Sequence, residues 1–432
     1  MRLKLRNKLL EDAFLLFFGN GVNAACQLTT TILLASTLPS DIWGGIAVIM
    51  SYVLVIETLL ATKTWQLVSS HAFIHLSHSP KRFSAHFSNL FTIELATNFI
   101  ASIFAVLMLP LAIATMNLPE SFYWSGLIYC LSVAFRFSGS AGALLRLFDK
   151  YHWQSLHAAS LGLTRLGVIL AIITRTESPA IILGAIATVE SIWHIALTAC
   201  AWPELSKRGV KWQDMSKNLR RRLRHQNWKL ISTTHLTALL KTGSRELDVL
   251  LISAFITPET AGVVKVYRTV LRSLLLVSDP LANATLPRFI KLYAEHAPIE
   301  TLTALIRKML VIGACLATLG LATLSTIILL TWKGVTKIPY PLNDGYFITY
   351  AAGIWVAVTF FCLAPANLAI KRYDFALRIS AAIAMVYIIT IAVLTPVLGS
   401  SGAGLAFFLS QFIWASCYYI SFRKLENKSQ HP

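Results

Sequence analysis

Charge is scarce in this sequence, and acidic charge is scarcer still. Only 13% of the 432 residues are Asp, Glu, Lys or Arg, and the 38 Lys and Arg outnumber the 20 Asp and Glu. With 56% apolar residues and a mean hydropathy of +0.63, this balance excludes an ordinary soluble enzyme and describes an integral membrane protein. Close cysteine pairs are also lacking. Cys26, Cys130, Cys200, Cys315, Cys362 and Cys417 stand singly in apolar stretches, which implies neither a disulfide framework nor a zinc site. There is no phosphate-binding Gly loop with Lys, no GxSxG and no HExxH, so no catalytic residue and no cofactor is expected.

What the chain has in abundance is long apolar runs. A span needs about 20 apolar residues, and twelve such runs are predicted: 13–35, 43–61, 90–111, 122–143, 157–174, 180–201, 231–255, 260–281, 304–331, 345–369, 376–396 and 402–422. The basic segment before the first run is expected to stay attached, because that run is too long for a signal-peptide core and lacks a small-residue cleavage site. An even number of spans puts both ends on one side. On that side 28 of the 38 Lys and Arg fall in the ends, the even-numbered connections and the span ends beside them, against Arg175, Lys333 and Lys337 opposite. The positive-inside rule therefore predicts cytoplasmic termini, and it absorbs most of the +18 net charge, so no nucleic-acid partner is expected.

The remaining seven cations lie inside spans: Arg136, Arg165, Lys241, Arg245, Lys265, Arg268 and Arg272. A Lys or Arg at the bilayer centre costs roughly 2.5–3.5 kcal/mol on insertion scales, so these should face a wet or paired interior. At about 100° per residue, Lys265, Arg268, Arg272, Asp279 and Asn283 share one helix face, and Thr234, Thr237, Lys241, Arg245 and Asp248 share another. Glu57, Glu94, Glu190, Asp248 and Asp279 are the candidate partners, for charge pairing or for ion coupling. In the first span Asn20, Asn23, Gln27 and Thr31 line one face beside Gly19 and Gly21, a pattern that suits either cavity lining or interhelical packing. Arg146 and Lys150 read as inner-interface anchors.

Two further features are organisational. The connection 202–230 sets Arg220, Arg221, Arg222 and Arg224 beside Trp202, Trp212 and Trp228, a mixture suited to lying on anionic membrane lipids. It divides the chain into six-span halves, 1–201 and 231–432. Pro39 and Gly44 recur as Pro258 and Gly262, Lys150-Tyr151-His152-Trp153 as Arg372-Tyr373-Asp374-Phe375, and Ile192-Trp193 as Ile413-Trp414. The shifts are 219, 218, 222 and 221 residues, so one six-span unit is used twice, with a transport site expected between the copies. His71, His75, His78 and His86 have no converging Cys or carboxylate, and a metal site is not expected there.

Several stretches resemble polysaccharide transporter proteins. Glu246-Leu247-Asp248-Val249-Leu250-Leu251-Ile252, then Thr257-Pro258-Glu259-Thr260-Ala261-Gly262, then Asp279-Pro280-Leu281 with Leu286-Pro287, is similar to their central segment. The run from Gly142 to Tyr151 and Lys63-Thr64-Trp65-Gln66 resemble stretches of the Wzx-type branch. This resemblance implies membership of the multidrug/oligosaccharidyl-lipid/polysaccharide exporter (MOP) superfamily. The implied fold is all-α, with twelve transmembrane helices in two six-helix halves related by pseudo-twofold symmetry around a central cavity. The implied function is a flippase of the bacterial inner membrane carrying undecaprenyl-diphosphate-linked oligosaccharide to the periplasmic leaflet for O-antigen, lipopolysaccharide or other surface polysaccharide. A polysaccharide polymerase and a chain-length regulator are candidate partners.

Arginine offers forked, permanently charged donors for phosphate oxygens. The expected substrate contacts are therefore Arg245, Arg268 and Arg272 first, then Lys241, Arg136, Arg165 and Lys265, with Asn20, Asn23 and Gln27. The alternative is a charge cluster that only fixes helix packing. The rival functions are a cation-coupled multidrug or metabolite exporter of the same superfamily and a membrane glycosyltransferase or polymerase. An exporter of cations would want acids to dominate the interior, and the enzyme would want a sizeable outer loop, whereas the longest outward connection spans only about residues 331–344.

Overall fold

Apolar runs separated by turn-formers become helices wherever the computed structural model describes them: residues 2–62, 80–207, 246–276, 299–335, 344–369 and 373–430, with isolated positions between. In chain order these are α1 (Arg2–Thr37), α2 (Ser40–Leu60), α3 (Pro80–Thr115), α4 (Phe122–Ser132), α5 (Gly139–Leu147), α6 (Tyr151–Ile173) and α7 (Pro179–Ser206). After the basic connection come α8 (Leu247–Phe255), α9 (Pro258–Arg272), α10 (Ile299–Val335), α11 (Gly345–Thr359), α12 (Leu363–Ala369), α13 (Tyr373–Leu398) and α14 (Ser400–Gln430). Each of the twelve predicted spans meets a helix. The fourth and tenth are each broken into two, and only the last part of the seventh is described. The protein is an all-α integral membrane protein, and eight of its described helical segments are long and apolar enough to cross a bilayer.

Local chemistry sets the helix starts. Pro179 and Pro258 occupy the first turn, where a missing N–H costs nothing. The Thr257 hydroxyl accepts from Thr260 N at 3.2 Å, and the Asp344 carboxylate accepts from Tyr346 N at 2.8 Å and Phe347 N at 3.3 Å. The outer faces carry large apolar side chains, among them Leu107, Trp124, Leu330 and Val397, exposed as lipid contact requires.

Contacts divide the chain into two units. Unit 1 comprises residues 1–30 and 49–246, and unit 2 comprises 31–48 and 247–432. The core of unit 1 stacks Phe83, Phe87 and Phe91 of α3 on Ala141, Leu144 and Leu145 of α5 and Leu197 and Ala201 of α7. In unit 2, Phe361, Cys362 and Leu363 pack with Ile306 of α10 and Tyr418 and Phe422 of α14.

The first turns of α2 belong to unit 2, where residues that the sequence repeat equates meet each other. A Cβ on Gly262 would lie 2.9 Å from Gly44 Cα, one on Gly44 would collide with the Pro258 carbonyl, and Trp43 Nε1 donates to Gly262 O at 3.0 Å. Glycine on both helices is what permits this approach. Of the first-span glycines, Gly19 allows close packing, against Ser155, whose hydroxyl donates to Leu15 O at 2.6 Å. Gly21 does not serve that expected role: nothing lies within 4 Å of where its Cβ would sit.

Candidate functional site

Each unit holds its own buried charge network. In unit 1 the fourth span is interrupted: α4 runs into a 3-10 turn, Val133–Phe135, and the chain resumes as helix only at Gly139. Arg136 sits in this interruption. Its Nη1 pairs with Glu57 Oε2 of α2 at 2.9 Å and its Nη2 with Glu190 Oε2 of α7 at 2.7 Å. Arg165 of α6 reaches the other oxygen of Glu190 at 2.7 Å. The Tyr129 hydroxyl donates to Glu190 at 3.4 Å, and the Arg136 guanidinium lies 4.9 Å over the Tyr129 ring. Among the described residues two cations and two acids, with side chains only 8–13% exposed, form a neutral set. Neutrality and pairing are what make such charges tolerable at membrane depth.

Glu94 has a different occupation. Its carboxylate accepts from Gly139 N at 2.7 Å, Ser140 N at 2.9 Å and the Thr64 hydroxyl at 2.7 Å. An anion on the first amides of α5 satisfies donors that the interrupted helix would otherwise leave open, and it meets the positive end of the helix dipole. Gly139 leaves room for it, since a Cβ there would come within 2.9 Å of Glu94 Oε1. The structure thus gives Glu94 backbone partners in place of the cation expected for it.

In unit 2 Arg268 is 2% exposed and pairs with Asp248 of α8, whose second oxygen accepts from the Tyr346 hydroxyl of α11 at 2.8 Å. One turn along α9, Arg272 Nε donates to the Tyr350 hydroxyl at 3.0 Å. Tyr346 and Tyr350 stack at 5.3 Å, and Phe407 of α14 stacks on Tyr350 at 4.0 Å. Lys265 and Arg272 are half-buried on the same face of α9. Arg268, expected to grip a ligand, is buried and paired with its acid.

No protein-family model matches the chain. The inner membrane protein YghQ of Escherichia coli (strain K12) is 21% identical over 143 residues, 33% of this chain and 40% of that relative, so the match spans well under two thirds of it. A multidrug resistance MATE family transporter of the MOP superfamily, inward-facing, superposes with a TM-score of 0.68 at 12% identity, covering 94% of this chain and 95% of its own. The lipid II flippase MurJ, in an inward closed conformation, superposes with a TM-score of 0.68 at 16% identity over 98% of this chain and 91% of its own. A MOP superfamily transporter from Pyrococcus furiosus, described as having a binding pocket of reverse polarity, gives 0.61 at 13% identity over 98% and 96%. The chain has the fold of the MOP-superfamily transporters.

Within this MOP fold the expected site residues fall into separate groups. Arg136, Arg165, Glu57 and Glu190 come together in unit 1, and Arg268, Arg272, Lys265 and Asp248 in unit 2. Gln27 is exposed on α1, whereas Asn20 and Asn23 border a polar cavity of unit 1. Lys241, Arg245 and Asp279 lie outside the described residues, as do Asn283, Thr234, Thr237, His71, His75, His78 and residues 208–230 of the linker, whose first residues continue α7 to Ser206. Among the described residues no cluster of three His, Cys, Asp or Glu could hold a metal ion. Sequence reasoning missed Tyr129, Tyr346 and Tyr350. The four-residue spacing of the last two on one face of an apolar helix was the available signal.

Proposed function

We propose that this protein is a flippase that moves undecaprenyl-diphosphate-linked oligosaccharide from the cytoplasmic to the periplasmic leaflet of the bacterial inner membrane by alternating access, for O-antigen or another surface polysaccharide. The observation that carries the reading is the cation stripe of α9, where Lys265, Arg268 and Arg272 recur on one face of a membrane helix within about two turns. A diphosphate suits forked guanidinium donors, and a cationic drug would be repelled by them. Arg272 and Lys265 are proposed contacts on the half-buried side of α9, and Arg268 joins them only if it parts from Asp248. Lys241 and Arg245 complete the proposed phosphate set, with Arg136 and Arg165 as further cations that would become available if the Glu190 network opened. The organisation into halves 1–201 and 231–432, joined by a linker lying on anionic lipids with both termini cytoplasmic, belongs to the same proposal. So do the polymerase and chain-length regulator as partners.

The experiment uses a host whose surface polymer depends on this chain. Arg272→Ala is expected to insert normally, abolish the polymer and leave lipid-linked repeats on the inner leaflet, with Arg272→Lys recovering only part of the activity because its charge remains and its fork does not. Normal polymer with Arg272→Ala and with Arg268→Ala would make the stripe structural. The multidrug transporter fold match favours a second reading, an exporter. Under it, deletion would leave the polymer intact and sensitise cells to small toxic compounds.

A further inference from the structure

Unit 2 carries a groove of about 400 Å³ on its flank, walled by Leu310, Val311 and Ala314 of α10 and by Phe412, Ala415 and Tyr419 of α14. Its floor is the interruption of the tenth span, where α11 ends at Thr359 and Phe360 leads toward α12. Gly313 brings α10 against that end, since a Cβ there would collide with the Thr359 carbonyl. The groove opens sideways: Val311 is 64% and Phe412 53% exposed, both within helices long and apolar enough to cross a bilayer. Side chains exposed in this way meet hydrocarbon.

Helix register shows what lies at one end of the groove. Ile306 of α10 shares a cluster with Phe422 of α14, while Leu310 shares the groove with Tyr419 and Ala314 with Ala415. The two helices therefore run in opposite directions, and Arg307 stands at the level of Arg423. Arg307 and Lys308 are exposed and precede Val311 by about one helical turn. The Arg423 guanidinium lies over the Tyr419 ring, 5.5 Å from its centre. Three cations on two helices thus gather at the end of the groove that the proposed orientation makes cytoplasmic, and no Asp or Glu is among its lining residues.

We propose that this groove seats one acyl chain of an anionic phospholipid, with its phosphate held by Arg307, Lys308 and Arg423. Apolar walls open to the bilayer suit a hydrocarbon chain. Guanidinium and ammonium donors at the mouth suit phosphate oxygens, and basic recesses between membrane helices on the cytoplasmic side bind anionic headgroups. A zwitterionic lipid would bring its own cation against these three, so the charge selects a lipid with net negative charge. The site shares no residue with the stripe of α9, and it stands whichever molecule the protein carries.

The test counts lipids retained on the full-length protein by native mass spectrometry during titration with phosphatidylglycerol or phosphatidylcholine of identical chains. One phosphatidylglycerol is expected to bind about tenfold more tightly than phosphatidylcholine, within reach of three interfacial cations. Lys308→Gln combined with Arg423→Gln should bring that ratio close to one. Lys207→Gln, at an exposed cation of unit 1, should leave it unchanged. Ala314→Phe, which fills the groove, should weaken both lipids severalfold. Both charge substitutions are at exposed positions, so they decide the matter even where Ala314→Phe fails to fold. A preference that survives the charge substitutions, or a wild type that shows none, overturns the site. If undecaprenyl diphosphate displaces phosphatidylglycerol from the wild type at equimolar concentration, the groove belongs to the tail of a transported lipid and the assignment to a bilayer lipid falls.

Discussion

At the scale of single residues, Glu190 shows what the interior charges do. It accepts from Arg136 and Arg165 at 2.7 Å each and from Tyr129, so both oxygens are taken, and the only other acid in the set is Glu57. Removing one partner of a buried pair leaves an uncompensated charge and costs about 3–5 kcal/mol, whereas removing matched partners together costs far less. Glu190→Gln is therefore expected to lower stability by about 3 kcal/mol, read as the unfolding midpoint of the purified protein, and Glu190→Gln with Arg165→Gln to recover much of it. A double variant as unstable as the single one would show that the pair is not the reason for the arrangement. On the proposed reading, the same physics applies to Arg268: a diphosphate reaching it would have to supply at least the interaction that Asp248 now provides.

At the scale of elements, the interrupted fourth span explains more than any continuous helix. Breaking a helix inside a bilayer opens backbone groups that lipid cannot satisfy, and such breaks survive only where protein answers them. Here Glu94 answers the first amides of α5, and the gap places Arg136 where it reaches α2 and α7 together. Glu94→Gln should cost up to about 2 kcal/mol, because a neutral amide loses the charge that the helix end favours and turns one donor toward other donors. Thermal unfolding measures this, and an unchanged midpoint would rule out the capping role. The interruption itself was not legible in the sequence, since Val133 to Gly139 reads as a continuation of an apolar run. Only the run of Ser138, Gly139 and Ser140 hinted at a pause, and small residues there also suit packing.

At the scale of the whole molecule, the distribution of Lys and Arg predicts that both ends lie in the cytoplasm. Alkaline phosphatase fused after Arg423 should be inactive and a fluorescent protein fused there should fluoresce; the opposite pattern would invert the topology. Much of the architecture was open to sequence reading because its causes are local. A run of about 20 apolar residues becomes a membrane helix whatever surrounds it, and a cation inside that run has to be compensated wherever it lies. The all-α membrane class and the positions of the described helices followed from that alone. Partnership did not. Helical period assigns Arg165 or Arg268 to a face, yet which residue stands opposite depends on the packing of helices 20 to 80 residues apart in sequence, which no local pattern encodes. Tertiary structure alone therefore decided that Glu94 caps a helix end, that Arg268 closes on Asp248, and that Arg146, an interface anchor by its position in the chain, borders a polar cavity with Asn23, Gln154 and His157.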